Sequence, residues 1–241
     1  MSKEHAYRKG VHPKYLISFR VLIKETDLLV SASKDLSKQT RDRAHHYRRQ
    51  LEDYIKSKPD FLSTLFPYPE DPFAPEIIRE MISATKIFDI GPMAAVAGTI
   101  AQLVGRDLLK HTEELIVENG GDIFLKAKRP ITVSIFAGSS KFNDKLGVVI
   151  YPKQMPTGIC TSSATVGHSL SLGTADSVCI VANKASIADA AATALGNRIT
   201  DRFKLKKEIE SMRKYKDIKG GVVIIGKTMA SWGEIELTKI H

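Results

Sequence analysis

Residues 115–127 read Leu-Ile-Val-Glu-Asn-Gly-Gly-Asp-Ile-Phe-Leu-Lys-Ala. Two short apolar runs flank Asn119-Gly120. Asn-Gly is a strong hairpin signal, because both residues tolerate the positive φ that a tight turn demands. The spacing predicts antiparallel strands at 115–118 and 123–127. Downstream the same reading continues, with strands at 131–137, 146–151, 158–163 and 177–182. A helix follows at about 187–197, then a basic helix to about 216, and strands at 221–226 and 234–238 close the chain.

Upstream the period changes. Residues 93–110 read as a helix lined with Ala94, Ala95, Ala97, Gly98 and Ala101. Gly98 costs roughly 1 kcal/mol against Ala in a helix, so its presence points to a steric requirement. Phe88–Pro92 is a break, and Pro75 opens a helix that runs to about Lys86. Residues 60–74 read as an ordered, proline-rich loop. In 34–58, Leu36, Thr40, Ala44, Tyr47, Leu51 and Tyr54/Ile55 recur at helical spacing, with Ser33 as the expected N-cap and Pro59 as the stop. Residues 14–32 read as a hairpin turning at Glu25-Thr26-Asp27. Helices cluster in the first half and strands in the second, which favours an α+β fold over a βαβ repeat. We expect one domain over 1–241, with a mixed or antiparallel sheet packed against helices and the motif-bearing core at about 88–197.

The chain has 241 residues, 43% hydrophobic and 26% charged, which excludes wholesale disorder. Its net charge of +9 at first suggests nucleic acid. The excess lies in two segments, 34–58 at +4 and 198–219 at +5, whereas 59–197 is net −3. Tyr47 and Tyr54 fall on the apolar stripe rather than among the exposed charges. We therefore expect no nucleic-acid partner. The basic helices either frame a cleft or form the surface of a homo-oligomer.

Two cysteines, Cys160 and Cys179, with no CxxC exclude a disulfide framework. The start lacks the apolar stretch of a signal peptide, and the uncharged, Gly- and Ala-rich run 90–105 is too short to span a bilayer. The expectation is a cytoplasmic protein with reduced thiols and no membrane partner.

No dinucleotide fingerprint, P-loop, HExxH or GxSxG is present. Four segments carry the remaining chemistry. Gly91–Gly98 (GPMAAVAG) either presents helix-terminal amides to a phosphate or packs tightly against a neighbour. Glu118–Asp122 (ENGGD) is a hairpin turn. Gly158–Ser171 concentrates hydroxyls around Thr161, Ser162 and Ser163, with His168 as a potential general base. In Ser186–Ala194, Asp189 and Thr193 lie at i and i+4, so their oxygens share a helix face and suit Mg²⁺. The alternative is a capping box from Ser186 to Asp189. Asp89, Asp122, Asp176 and Asp189 sit beside these segments.

In this order the segments resemble the ApbE-like superfamily, whose best-known members are Mg²⁺-dependent flavin transferases. ENGGDI (118–123) resembles its GGD segment and GICTSS (158–163) its Thr-Ser-Gly strand. ADAAATAL (188–195) resembles its ADA…TAL helix and GPMAAVAG its G-x-A-x-A-K-G turn. KETDLLV (24–30) together with GPMAAVAG, VENGGDI and TSSATVGHSLSLG is similar to a short branch found in archaea and anaerobic bacteria. The resemblance implies a flavin-sized cleft between the sheet and the Ala-rich helix. It implies metal ligands at Asp189 and Thr193 with a backbone carbonyl from Ala94–Ala97. It also implies flavin-nucleotide contacts from Gly121, Asp122, Thr161, Ser162 and Ser163, and a catalytic role for His168.

Three departures stand out. His168 is followed by Ser169-Leu170-Ser171 rather than x-x-Asp-Pro, Ala97 replaces the turn's lysine, and Ser163 replaces the strand's glycine. The implied protein binds a phosphorylated or flavin-like small molecule with Mg²⁺, and its transferase chemistry is altered or lost. The branch also suggests an alternative, an accessory role in sulfide assimilation and homocysteine formation that uses Cys160.

Overall fold

The computed structural model describes residues 13–138, 140–143, 145–163 and 173–240. An eight-stranded, wholly antiparallel sheet forms the centre, in the order β1-β2-β3-β4-β7-β8-β9-β10. Its strands are β1 (Ile17–Ile23), β2 (Thr26–Ala32), β3 (Leu115–Asn119), β4 (Asp122–Lys126), β7 (Thr157–Ser162), β8 (Ser177–Ala182), β9 (Ile218–Ile225) and β10 (Thr228–Gly233). A smaller sheet of β5 (Ile131–Ser134), β6 (Leu146–Ile150) and β11 (Glu236–Lys239) is ordered β11-β6-β5.

Two cores define three layers. One lies between the large sheet and the helices α1 (Ser37–Ser57), α3 (Glu76–Lys86), α4 (Val96–Leu108) and α5 (Ala185–Arg198). The other lies between the two sheets. The alternation of strand residues produces this division: on β4, Phe124 faces the helices, while Ile123 and Leu125 face the small sheet. This is the α+β architecture expected from the sequence.

On α1 the buried residues are Thr40, Ala44, Tyr47, Leu51 and Tyr54, as the 3.6-residue period predicts. Its start differs from the expectation. Helix α1 begins at Ser37, whose amide bonds Asp35 Oδ1 at 2.8 Å, whereas Ser33 Oγ pairs with Thr112 Oγ1. The first hairpin turns at Lys24-Glu25, where Lys24 has φ 50°, rather than at 25–27. The loop after α1 holds one helical turn, α2 (Asp60–Ser63).

The basic helix expected over 198–216 is shortened to α6 (Leu205–Met212). Ile199 buries itself and ends α5, and Asp201 Oδ1 accepts the amides of Phe203 and Lys204 in the turn between. β10 escapes period-2 reasoning, because Trp232 is the one buried side chain in its six residues. No helix among the described residues is long and apolar enough to cross a membrane.

Candidate functional site at the helix and hairpin junction

The site forms where α4 begins. A 3-10 turn at Pro92–Ala95 leads into α4, which lies on β3 and β4 beside α5. The first amides of a helix lack partners within it and carry partial positive charge. Here the amides of Ala97 and Gly98 donate to the carboxylate of Asp189 on α5, with Gly98 N to Asp189 Oδ2 at 2.8 Å. The GPMAAVAG turn therefore spends these donors on a carboxylate of the chain itself rather than presenting them free to a phosphate.

The capping-box alternative for Asp189 is also replaced. Asp189 caps a different helix, and Ser186 Oγ turns to Glu80 Oε1 at 2.7 Å. Gly98 is required sterically: a Cβ there would lie 2.4 Å from the Ala185 carbonyl oxygen and 2.7 Å from the Asp189 Cβ. A Cβ at Gly158 would meet the Ala185 backbone at 2.2 Å, so α5 sits directly on β7.

The hairpin tip closes the junction from the other side. Gly120 and Gly121 take φ of 66° and 107°, which pairs Asn119 with Asp122 across the turn. Asn119 Nδ2 donates to the Ala97 carbonyl at 3.1 Å. Asp122 and Phe124 share the helix-facing side of β4, so the Asp122 carboxyl comes within electrostatic range of Asp189. Burial raises the Asp189 carboxyl to about 7, against the pull of the Gly98 and Ala97 amides. Burial, and then the Asp189 charge, push Asp122 well above the carboxylate range, while the Cys160 thiol and the Thr161 amide pull it down. Two carboxyl groups thus share one weakly solvated space.

The other expected site residues separate into groups. On β7, Ser162 faces α5: a Cβ at Gly196 would lie 3.7 Å from its Oγ. Thr161 offers its amide to Asp122 but turns its hydroxyl to Cys179. Ser163 Oγ donates to the Asp176 carbonyl at 2.7 Å and so ties down the strand end. Thr193 is half-buried on α5, one turn beyond Asp189. His168 lies outside the described residues. Of the four aspartates beside the motifs, Asp122 and Asp189 converge, whereas Asp176 Oδ2 accepts the Gly226 amide at the β9–β10 turn.

Cys160 is fully buried and donates to the Ala185 carbonyl at 3.3 Å. Burial, followed by the Asp122 and Asp189 charges, pushes its thiol well above the usual range. That environment opposes the thiolate a sulfur-handling role requires. Among the described residues, no three His, Cys, Asp or Glu side chains gather as a metal cluster.

A cleft of about 570 Å³ adjoins the site and borders Ala97 and Asn119; only the family resemblance implied a cleft, and it left the lining unspecified. Its floor is Leu51, Ile55, Leu62, Met93, Val96 and Ile100. Lys24, Glu25, Arg48 and Glu52 rim it and pair among themselves, with Lys24 to Glu52 at 2.8 Å and Arg48 to Glu25 at 2.6 Å. The cleft joins α1, α2, α4 and the first hairpin, so no single segment announces it.

A family model described as AbpE bacteria matches residues 8–227. A UPF0280 protein of Methanocella arvoryzae is 40% identical over 221 residues, covering 91% of this chain and 90% of that one. A UPF0280 protein of Methanocaldococcus jannaschii is 39% identical over 227 residues, covering 91% and 92%. Among solved structures, the flavin transferase ApbE from Vibrio cholerae superposes with a TM-score of 0.62 at 14% identity, covering 91% of this chain and 97% of that one. The ApbE protein of Thermotoga maritima gives 0.58 at 12%, covering 91% and 97%. The two solved structures share the fold, and by the family model and the archaeal relatives this chain belongs to the AbpE bacteria family.

Proposed function

We propose that the protein binds a flavin nucleotide together with Mg²⁺ at the α4–α5–hairpin junction, with the transfer chemistry of the ApbE enzymes altered or lost. The observation that carries this reading is the convergence of Asp122 and Asp189 on the first turn of α4. The donors suit a hard divalent cation. Asp189, Thr193 and Asp122 offer only oxygens, and two carboxyls disfavoured by burial gain from a counter-charge. Bound there, Mg²⁺ would neutralise the carboxylates and hold the oxygens of a diphosphate.

The chain's own residues supply the rest. Asp189 is held by the Ala97 and Gly98 amides, so its carboxylate cannot swing away. Asn119 fixes the hairpin tip to the Ala97 carbonyl, which keeps Asp122 in place. The apolar floor of the cleft suits a flat ring system, and on its rim Lys24 pairs with Glu52 and Arg48 with Glu25. Ser162, facing α5, is positioned to serve as a hydroxyl contact for the ligand. The altered chemistry follows from Ala97, which puts a methyl group where the resembling transferases carry an amine, and from the missing Asp-Pro after His168.

Thermal unfolding with FAD, FMN and ADP, each with and without Mg²⁺, tests the reading. A ligand at a hundred times its dissociation constant stabilises by about 2.7 kcal/mol. In a chain of this size that raises Tm by roughly 5–10 °C. No Mg²⁺-dependent rise with any of the three would count against the proposal.

A further inference from the structure

We propose that Glu80 is a positioning residue for Asp189, acting through Ser186 and Gln102. The inference rests on the reading that Asp189 holds a metal. Helix α5 begins without a side-chain cap of its own. Its first turn borrows partners from two other helices. Glu80 on α3 accepts Ser186 Oγ at 2.7 Å and Lys184 Nζ at 3.0 Å, and Gln102 on α4 donates to it at 3.1 Å. Gln102 Oε1 in turn accepts the Ser186 amide at 3.2 Å. Ser186 is fully buried and Gln102 nearly so. Burial works against a charged Glu80, but Ser186, Lys184 and Gln102 together hold its carboxyl below the ordinary range.

The consequence is geometric. Gly98 and Gln102 are four residues apart on α4, and Asp189 and Ser186 are three apart on α5. The helices therefore share two polar rungs one turn apart, Gly98 with Asp189 and Gln102 with Ser186. In each rung a side chain of one helix caps the amide end of the other. Glu80 braces the second rung, and the helix transmits that setting to the first. Metal ligation tolerates displacements of only about 0.2 Å, so a loosened brace is felt at Asp189.

Two variants and two readouts test this. Glu80→Ala removes the acceptor for Ser186, and Glu80→Gln keeps one while losing the charge. Amide hydrogen exchange at Ala97 and Gly98 is measured without metal, with the amides of α1 as control. Mg²⁺ is then titrated into protein saturated with FAD. Glu80→Ala should speed exchange at those two amides and at Ser186, leave the α1 amides unchanged, and weaken Mg²⁺ on the order of tenfold. FAD binding without metal should be unchanged, and Glu80→Gln should restore most of both properties. Wild-type exchange at Ala97 and Gly98 in Glu80→Ala, or wild-type Mg²⁺ affinity, overturns the proposal. If the wild type takes up no Mg²⁺, the metal reading fails on its own, and the exchange rates alone uphold or overturn the positioning role.

Discussion

Asp189 accepts the Gly98 amide at 2.8 Å and so caps a helix through a residue 91 positions earlier in the chain. One side chain thereby stabilises the entry of α4, locks α5 against it, and places a buried carboxylate opposite Asp122. Structure and proposed chemistry meet in this contact.

Gly98→Ala should be among the most damaging small substitutions in the protein. The added methyl would sit 2.4 Å from the Ala185 carbonyl and 2.7 Å from the Asp189 Cβ, so the two helices must part. Overpacking of this kind costs about 1–3 kcal/mol. Urea unfolding should report that loss, and a midpoint equal to wild type would show that the helices tolerate separation.

The buried carboxyl also sets a pH dependence. An unfolded chain releases the Asp189 proton near the ordinary carboxylate value of 3.8, whereas the folded chain keeps it until about 7. Between those values the unfolded state binds fewer protons, so stability falls as pH rises. Wild type should lose stability relative to Asp189→Asn across that window. Added Mg²⁺ should recover the loss at the upper end by competing with the proton. Urea midpoints measured from pH 4 to 8 check both statements, and a relative stability that climbs with pH would contradict them.

Neither thiol should react in the native state. Cys160 and Cys179 are both buried, and burial pushes Cys179 up to about 11. Iodoacetamide at pH 7.5 should label neither in the folded protein and both in guanidinium chloride. Rapid native labelling of Cys160 would reopen a sulfur-handling role.

Filling the cleft separates ligand binding from folding. Val96 is half-buried on its floor, with space in front of it. Val96→Trp should abolish flavin binding measured by equilibrium dialysis while shifting Tm by only a few degrees. Unchanged flavin binding would place the ring elsewhere.

The legible parts of this fold were those written in local periodicity. The stripe Thr40, Ala44, Tyr47, Leu51 and Tyr54 states its conformation within a few residues, as does the hairpin turn, which falls on Gly120-Gly121, one residue beyond the Asn119-Gly120 signal. The junction was legible only in part. Asp122 and Asp189 stood out by their company, but the bond from Asp189 to Gly98 joins distant segments, and Ser186 in isolation reads as a cap. Its hydroxyl goes instead to Glu80, 106 positions away. The 198–216 stretch misled because charged residues at helical spacing do not reveal that Ile199 prefers the core.

The most direct measurement is a calorimetric titration of Mg²⁺ into FAD-saturated protein, wild type against Asp189→Asn. One Mg²⁺ should bind per chain in the wild type and none in the variant, with the variant still folded. Equal Mg²⁺ uptake by both proteins, or uptake by neither, would contradict this.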